Sequence, residues 1–242
     1  MGRMMRVAAV AIGLFLLTGN VCGFAQGTTI RVATTPNDSG AEAFYAADIG
    51  FFKKAGLDVE VIAISNASLI HAGVVSGSIA WIDKNGGDAK TIKFVELPDS
   101  AAAPAVVGGR VDAATIAEPF LDEALKLETR VLAPTYSAIA NEFMIGAWFS
   151  TLDYAKAHPD VIRKFGTVML ETARWANKNQ GRSARILEKY AKVRVSPTMA
   201  RVGYAERLTP SQIQPLIDAA ARYGTIKNSF PAADLLAPGL QL

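Results

Sequence analysis

The stretch that decides the fold class is AFYAADIGFFKKAGLDVEV, from Ala43 to Val61. Its first half spaces apolar residues as an amphipathic helix does, and Gly50 interrupts that pattern. From Leu57 onward apolar and acidic residues alternate, which predicts a strand. Upstream, TIRVATT (residues 29–35) predicts another strand, and PNDSG (residues 36–40) predicts the turn after it. The order strand, turn, helix and strand predicts a βαβ unit, and therefore an α/β fold.

Two loops of this unit are candidates for binding a ligand, because open α/β sheets bind ligands beyond the carboxyl ends of their strands. The first is the turn after the first strand, whose polar residues also favour an ordinary solvated turn. The second loop follows the next strand and opens a predicted helix over 67–75. The free N–H groups of that helix's first turn can bind an anionic ligand, or they can simply donate to a capping side chain such as that of Ser65 or Asn66. The candidate residues in the two loops are Asn37, Asp38, Ser39, Ser65, Asn66 and Ala67.

Further along, the pattern alternates between predicted helices and strands. Gly77 is expected to end the helix over 67–75, with SGSIA leading into a strand. WIDK then reads as a last helical turn stopped by Asn85-Gly86. Predicted strands cover residues 92–97 and 110–115, with a helix over 100–107 between them.

The last third is predicted to be mainly helical after a strand over 143–149. Pro159 suits the first position of a helix that ends near Gly181. Ser183 is expected to open the next helix, and Thr209-Pro210-Ser211-Gln212 is a capping box that opens the last one.

The N-terminus has the composition of an export signal. Arg3 and Arg6 precede an apolar core over 7–17, which is shorter than the about 20 residues of a membrane-spanning helix. We expect cleavage after Ala25 and a periplasmic location. The only cysteine, Cys22, follows a valine where a lipid-attachment motif has a small residue, so we expect it to leave with the signal rather than to carry a lipid.

Composition excludes several function classes. Removing the two leader arginines lowers 25 basic residues to 23 against 22 acidic residues, so the net charge falls from +3 to +1. No basic run with interleaved aromatics indicates nucleic-acid binding. No nucleophile elbow, phosphate loop or dinucleotide fingerprint is present, and neither His71 nor His158 has a catalytic neighbourhood in sequence. We therefore expect a binding protein rather than an enzyme, with no metal and no cofactor.

Three segments carry a family resemblance: GFFKKAGLDVEV (50–61), VVGGRVDAATIAEPF (106–120) and NEFMIGAWFST (141–151). In them the chain resembles periplasmic substrate-binding proteins of ABC importers, in the branch that serves sulfonates, nitrate, taurine and thiamine-pyrimidine precursors. The resemblance implies a two-lobed, type II-like α/β fold that closes on a small molecule and presents it to a permease in the inner membrane, as a monomer. It also implies ligand contacts from Glu118 in the second lobe, where an acid favours a ligand with a donor or positive group, and from Asn141 near the hinge.

The implied organisation is a signal peptide over 1–25, the first lobe over 26–80, a truncated second lobe over 81–135, and a return to the first lobe with C-terminal helices over 136–242. VVSGSIA (74–80) and VVGGRVDAA (106–114) are weak internal echoes, and relatives place several tens of residues between such echoes, including a third strand and the crossover to the second lobe. Here SGSIA directly adjoins WIDKNGGD. A helix end at Trp81 without a helix before it predicts an internal deletion near Ala80/Trp81, with an incomplete first-lobe sheet and hinge.

Two alternatives to a functional binding protein remain open, of which the departure near Ala80/Trp81 supports the first. One is a truncated relative that binds no ligand. The other is an enzyme of the related pyrimidine-precursor-synthesis branch; that branch carries a cysteine-rich motif, which residues 26–242 lack.

Overall fold

The first βαβ unit forms as predicted in the computed structural model, which describes residues 29–64 and 71–236, with the side chains of 71–75 left out of the description. Its elements are strand β1 (Ile30–Thr34), helix α1 (Glu42–Asp48), helix α2 (Phe51–Lys54) and strand β2 (Val59–Ala63). The strands pair in parallel, with Val32 opposite Val61. The predicted signal peptide lies outside the described residues.

The helices of this unit are buried against the C-terminal helices α7 (Pro159–Lys178) and α8 (Gln180–Ala191). Gly50 separates α1 from α2 at a φ of +79°, a conformation that glycine adopts without steric cost. Phe52 and Met169 share one apolar cluster with β1, whereas Tyr45 and Leu187 share a second cluster under α8. The N-terminal unit and the C-terminal helices therefore form one body.

Helix α3 (His71–Lys84) corrects the prediction that Gly77 ends a helix and that SGSIA begins a strand. The glycine instead permits close packing: a Cβ there would lie 3.4 Å from the carbonyl oxygen of Thr135 in the 3-10 helix Thr135–Ala138. The helix continues to Lys84, and Gly86 follows it at a φ of +79°, as the predicted stop requires. Because Trp81 lies inside a continuous helix, the argument from an orphaned helix end fails, and the internal deletion stays a prediction.

The strands predicted over 92–97, 110–115 and 143–149 are wrong, because within residues 29–64 and 71–236 only β1 and β2 are strands. A strand persists only where a neighbour takes up its N–H and C=O groups. The two-stranded sheet offers these segments no partner among the described residues. The result is an α/β fold with a small open sheet, which corresponds to part of a periplasmic-binding-protein fold.

The remaining helices are α4 (Asp99–Val107), α5 (Phe120–Ala124), α6 (Leu152–Ala157) and α9 (Pro210–Arg222). Pro159 and Pro210 occupy first helical positions, as predicted. The prediction that Ser183 opens a helix is wrong, because α8 begins three residues earlier and Ser183 donates within it to the carbonyl oxygen of Gln180. None of the helices in the described part of the chain is both long and apolar enough to cross a membrane.

Candidate functional site

The loop after β1, residues 36–40, is a compact hydrogen-bonded turn, which we call the β1 loop. Asn37 caps the 3-10 helix Asp38–Gly40, and its Oδ1 accepts from Gly40 N at 3.0 Å. The same oxygen accepts from Ser39 Oγ at 3.0 Å and from Thr35 Oγ1 at 3.1 Å. Asn37 and Ser39 thus first hold the loop itself in shape.

Asp38, the acid of the β1 loop, is almost fully buried, with 1% of its surface exposed. Its Oδ1 accepts from Arg201 Nε at 2.8 Å, and its Oδ2 accepts from Val202 N at 2.7 Å. The hydroxyl of Tyr204 donates to its carbonyl oxygen. Each carboxylate oxygen of Asp38 therefore already has a protein donor, and the ion pair joins the first βαβ unit to the segment between α8 and α9.

Arg201 is a site residue that sequence reasoning missed. Besides Asp38, its guanidinium donates to Tyr45 Oη at 2.9 Å, to Ser183 Oγ at 3.3 Å and to the carbonyl oxygen of Gln180 at 3.2 Å. It lies 163 residues from Asp38, in a segment without regular secondary structure. The available signal was the acid itself, because a buried carboxylate at a strand end requires a cation or several donors.

Two tyrosines complete the environment of this ion pair. Burial raises the pKa of Tyr45 to about 12 and raises the pKa of Tyr204 well above its usual value. Their rings meet edge to face at 6.0 Å. Both hydroxyls therefore remain protonated over the physiological range and act as neutral hydrogen-bonding groups.

Asp99 and Glu118 reach the β1 loop from the middle of the chain. Asp99, in the first turn of α4, accepts at Oδ2 from Asn37 Nδ2 at 3.1 Å. The carbonyl oxygen of Glu118 accepts from Asp38 N at 2.8 Å, while its Oε2 accepts from Asp122 N at 3.0 Å. Burial is the main cause that raises the pKa of both Asp99 and Glu118.

The structure thus brings four of the predicted residues together and leaves Asn141 apart from them. Asn141 is exposed, and no hydrogen bond joins it to the β1 loop within the described ranges. The segment Ser65–Ala67 lies outside the described residues. Sequence reasoning also missed Asp99, because nothing in its own neighbourhood marks it. The four that meet are Asn37, Asp38, Ser39 and Glu118.

A second acid near the β1 loop, Glu42 at the start of α1, is partly buried. Glu42 accepts at Oε2 from the indole Nε1 of Trp148 at 2.8 Å. Burial raises the pKa of Glu42 to about 7, and the indole hydrogen bond offsets part of that rise. Trp148 also packs edge to face against Phe165, with the ring centroids 6.1 Å apart. Trp148 therefore contacts the apolar core as well as the Glu42 carboxyl group.

Acids and small polar groups surround the β1 loop. Among the described residues, no group of three or more histidine, cysteine, aspartate or glutamate side chains is placed to hold a metal. Two acids with raised pKa values, Asp99 and Glu118, surround a turn of small polar groups. Such an arrangement suits a ligand that donates hydrogen bonds or carries positive charge. A depression of about 260 Å³, lined by Asp48 and Arg182, lies at the C-terminal end of α1. It is separate from the β1 loop, which precedes the N-terminal end of that helix.

The middle of the chain matches one family model. Residues 79–183, less than half of the 242, match the family model described as NMT1/THI5 like. The match supports a relationship to binding proteins for sulfonates, nitrate, taurine and thiamine precursors, which are generally extracytoplasmic and serve ABC importers. It includes Asp99 and Glu118 but neither the β1 loop nor Arg201. A search of curated proteins finds no match to the chain.

Proposed function

We propose that this chain is an extracytoplasmic solute-binding protein that delivers a small organic molecule to an ABC importer. The proposal rests mainly on the contact between the family-matching segment, residues 79–183, and the N-terminal βαβ unit. Glu118, from the segment that matches the family, bonds directly to the β1 loop of the βαβ unit, where α/β sheets bind ligands. The proposal includes export by a signal peptide over 1–25 and a permease partner in the inner membrane.

The charges around the β1 loop favour a ligand with donor groups. Asp99 and Glu118 supply carboxyl oxygens. Arg201, a cation that contacts the loop, is already bonded to Asp38. A bound amine or protonated pyrimidine gains charge-assisted hydrogen bonds from such oxygens. A bare anion such as nitrate would meet two acids instead. Within the family's range we therefore propose taurine-like amines and pyrimidines before nitrate and simple sulfonates.

The side chains proposed to contact the ligand are those at the rim of the loop. Ser39 and Glu118 are only partly buried, so they combine access with a fixed position. The helix start at Ser65–Ala67, a prediction from sequence, would add N–H donors for an acidic end of the same ligand. Asp38 has the different role of holding the loop in place.

Thermal melts of the purified mature chain test this proposal. A specific ligand at about 100 times its Kd stabilises the folded state by about 2.7 kcal/mol, which gives a visible rise in Tm. We expect taurine or a pyrimidine to raise the Tm, Glu118→Gln to reduce that rise, and Asn141→Ala to leave it unchanged. An equal rise in wild type and Glu118→Gln would place the ligand elsewhere on the protein.

A second candidate, a truncated relative that binds no solute, is favoured by one specific observation. Both carboxylate oxygens of Asp38, the acid that follows β1, accept from protein donors, and the residue is 1% exposed, so this acid is closed off from a ligand. A cooperative melt that no compound class shifts would support this candidate. Resequencing across Ala80/Trp81 would then establish whether an internal deletion accompanies it.

A further inference from the structure

Helix α8 carries a row of cations on its outer side. Arg182, Arg185 and Lys189 are exposed, and their spacing of three and four residues places them on one face of the helix. Leu187 and Ala191 are buried on the opposite face, against the core. The row spans about 10 Å, because an α-helix rises by about 1.5 Å per residue. We call these three cations the α8 ridge.

The α8 ridge lies within a strongly basic stretch of the chain. Residues 174–194 contain seven basic residues and one acidic residue, which is a net charge of +6. The other 16 basic and 21 acidic residues of 26–242 give a net charge of −5, so positive charge is concentrated in this stretch. Such a concentration attracts an anionic partner. The seven basic residues, all exposed, are Arg174, Lys178, Arg182, Arg185, Lys189, Lys192 and Arg194.

Few acids neutralise this stretch. Its own acid, Glu188, accepts from Val195 N at 2.9 Å. Asp48, at the C-terminal end of α1, pairs with Lys189 at 2.5 Å and so neutralises one charge of the ridge. Among the residues that the structure describes, neither Arg182 nor Arg185 forms an ion pair. These two guanidinium groups are therefore available to an anionic partner.

The surroundings of the α8 ridge indicate which kind of anionic partner fits. A specific protein interface has an apolar centre with buried anchors. None of the large hydrophobic side chains that are exposed in the described part of the chain belongs to residues 174–194. Long, flexible cations without an apolar centre suit the diffuse negative charge of a phospholipid surface instead.

Nucleic acid fits this stretch less well, because its two aromatic rings are already packed. Trp175 lies against Tyr45, with the ring centroids 6.2 Å apart. Tyr190 stacks on Phe44, with the ring centroids 4.2 Å apart. Neither ring therefore offers the free face on which a base stacks.

We propose that the α8 ridge docks this protein on a membrane surface that contains anionic phospholipids. The attraction is electrostatic, and each lysine or arginine near such a surface strengthens binding by roughly fivefold. The docking does not use the β1 loop, so it is independent of the proposed solute site.

Co-sedimentation of the purified mature chain with vesicles tests this docking. We expect binding to vesicles of phosphatidylglycerol and phosphatidylcholine in equal parts but not to phosphatidylcholine alone, with release as the ionic strength rises, because salt screens exposed charges. Arg182→Gln/Arg185→Gln should weaken the binding by roughly thirtyfold. The matched control, Arg110→Gln/Arg130→Gln, removes two charges from exposed positions outside the stretch and should bind like wild type.

A charge-preserving variant separates electrostatics from side-chain packing. Arg182→Lys/Arg185→Lys keeps both charges and should bind like wild type, so a loss in Arg182→Gln/Arg185→Gln would be a loss of charge. The proposal would be overturned by a wild type that does not bind the anionic vesicles or binds the neutral vesicles equally. Equal losses in the two glutamine variants, or a loss in the lysine variant as large as in Arg182→Gln/Arg185→Gln, would also overturn it.

Discussion

Replacement of Arg201 by methionine tests the role of the buried ion pair. The substitution keeps an unbranched side chain but leaves the Asp38 carboxylate, whose residue is 1% exposed, with Val202 N as its remaining donor among the described residues. It also removes the donors to Tyr45 and Ser183. Removing one partner of a buried pair costs about 3–5 kcal/mol, because the remaining charge is buried without compensation. We expect a loss of that size in the free energy of unfolding.

Urea unfolding followed by tryptophan fluorescence gives the free energy, and Arg163→Met is the matched control. Arg163 pairs with Asp160 on the surface, where both side chains are more than half exposed, so its loss should have no measurable effect. The double variant Asp38→Ala/Arg201→Met should be destabilised by less than the sum of the single variants, because the two side chains interact. Equal effects of Arg201→Met and Arg163→Met, or strict additivity, would refute the structural role of this pair.

Three further substitutions have distinct expected outcomes. Burial raises the pKa of Glu42 from 4.5 to about 7. The folded state therefore binds this proton more tightly than the unfolded state does, so protonated Glu42 stabilises the folded state. This stabilisation of about 3 kcal/mol is full below pH 4.5 and is lost as the pH rises through 7. Glu42→Gln should remove this pH-dependent loss in urea unfolding, and an unchanged pH profile would contradict it. Asn37→Asp puts a carboxylate in place of the amide that donates to Asp99 at 3.1 Å. The free energy of unfolding should fall by about 1–3 kcal/mol, and the loss should grow as the pH rises and both acids ionise. A loss that does not depend on pH would argue against that contact. Gly40→Ala should lower the free energy of unfolding, measured with urea, by about 1–3 kcal/mol, because the new Cβ would lie 2.5 Å from the carbonyl oxygen of Thr35. A variant as stable as wild type would contradict this close approach.

The first βαβ unit was predictable because its signals are local. The alternation from Leu57 fixes a strand, Gly50 fixes the break between two short helices, and parallel strands joined by a helix lie side by side. The position of the β1 loop follows directly from that order. Its capping residue, Asn37, was likewise predicted as part of the polar turn.

The errors arise where structure depends on distant partners. Residues 92–97 have the composition of a strand, but no described segment pairs with them, so they remain extended and exposed. The local pattern predicts a helix stop at Gly77, whereas its lack of a side chain permits contact with the segment near Thr135. Arg201 has no local signal, because its importance comes from an acid 163 residues away.

The most direct test of the proposed function is isothermal titration calorimetry of the mature chain with taurine and with pyrimidines. The account predicts saturable binding of one of these classes, weakened by Glu118→Gln and unchanged by Asn141→Ala. If a protein that unfolds cooperatively releases or absorbs no binding heat with any of them at two temperatures, the proposal that the β1 loop receives a solute is contradicted.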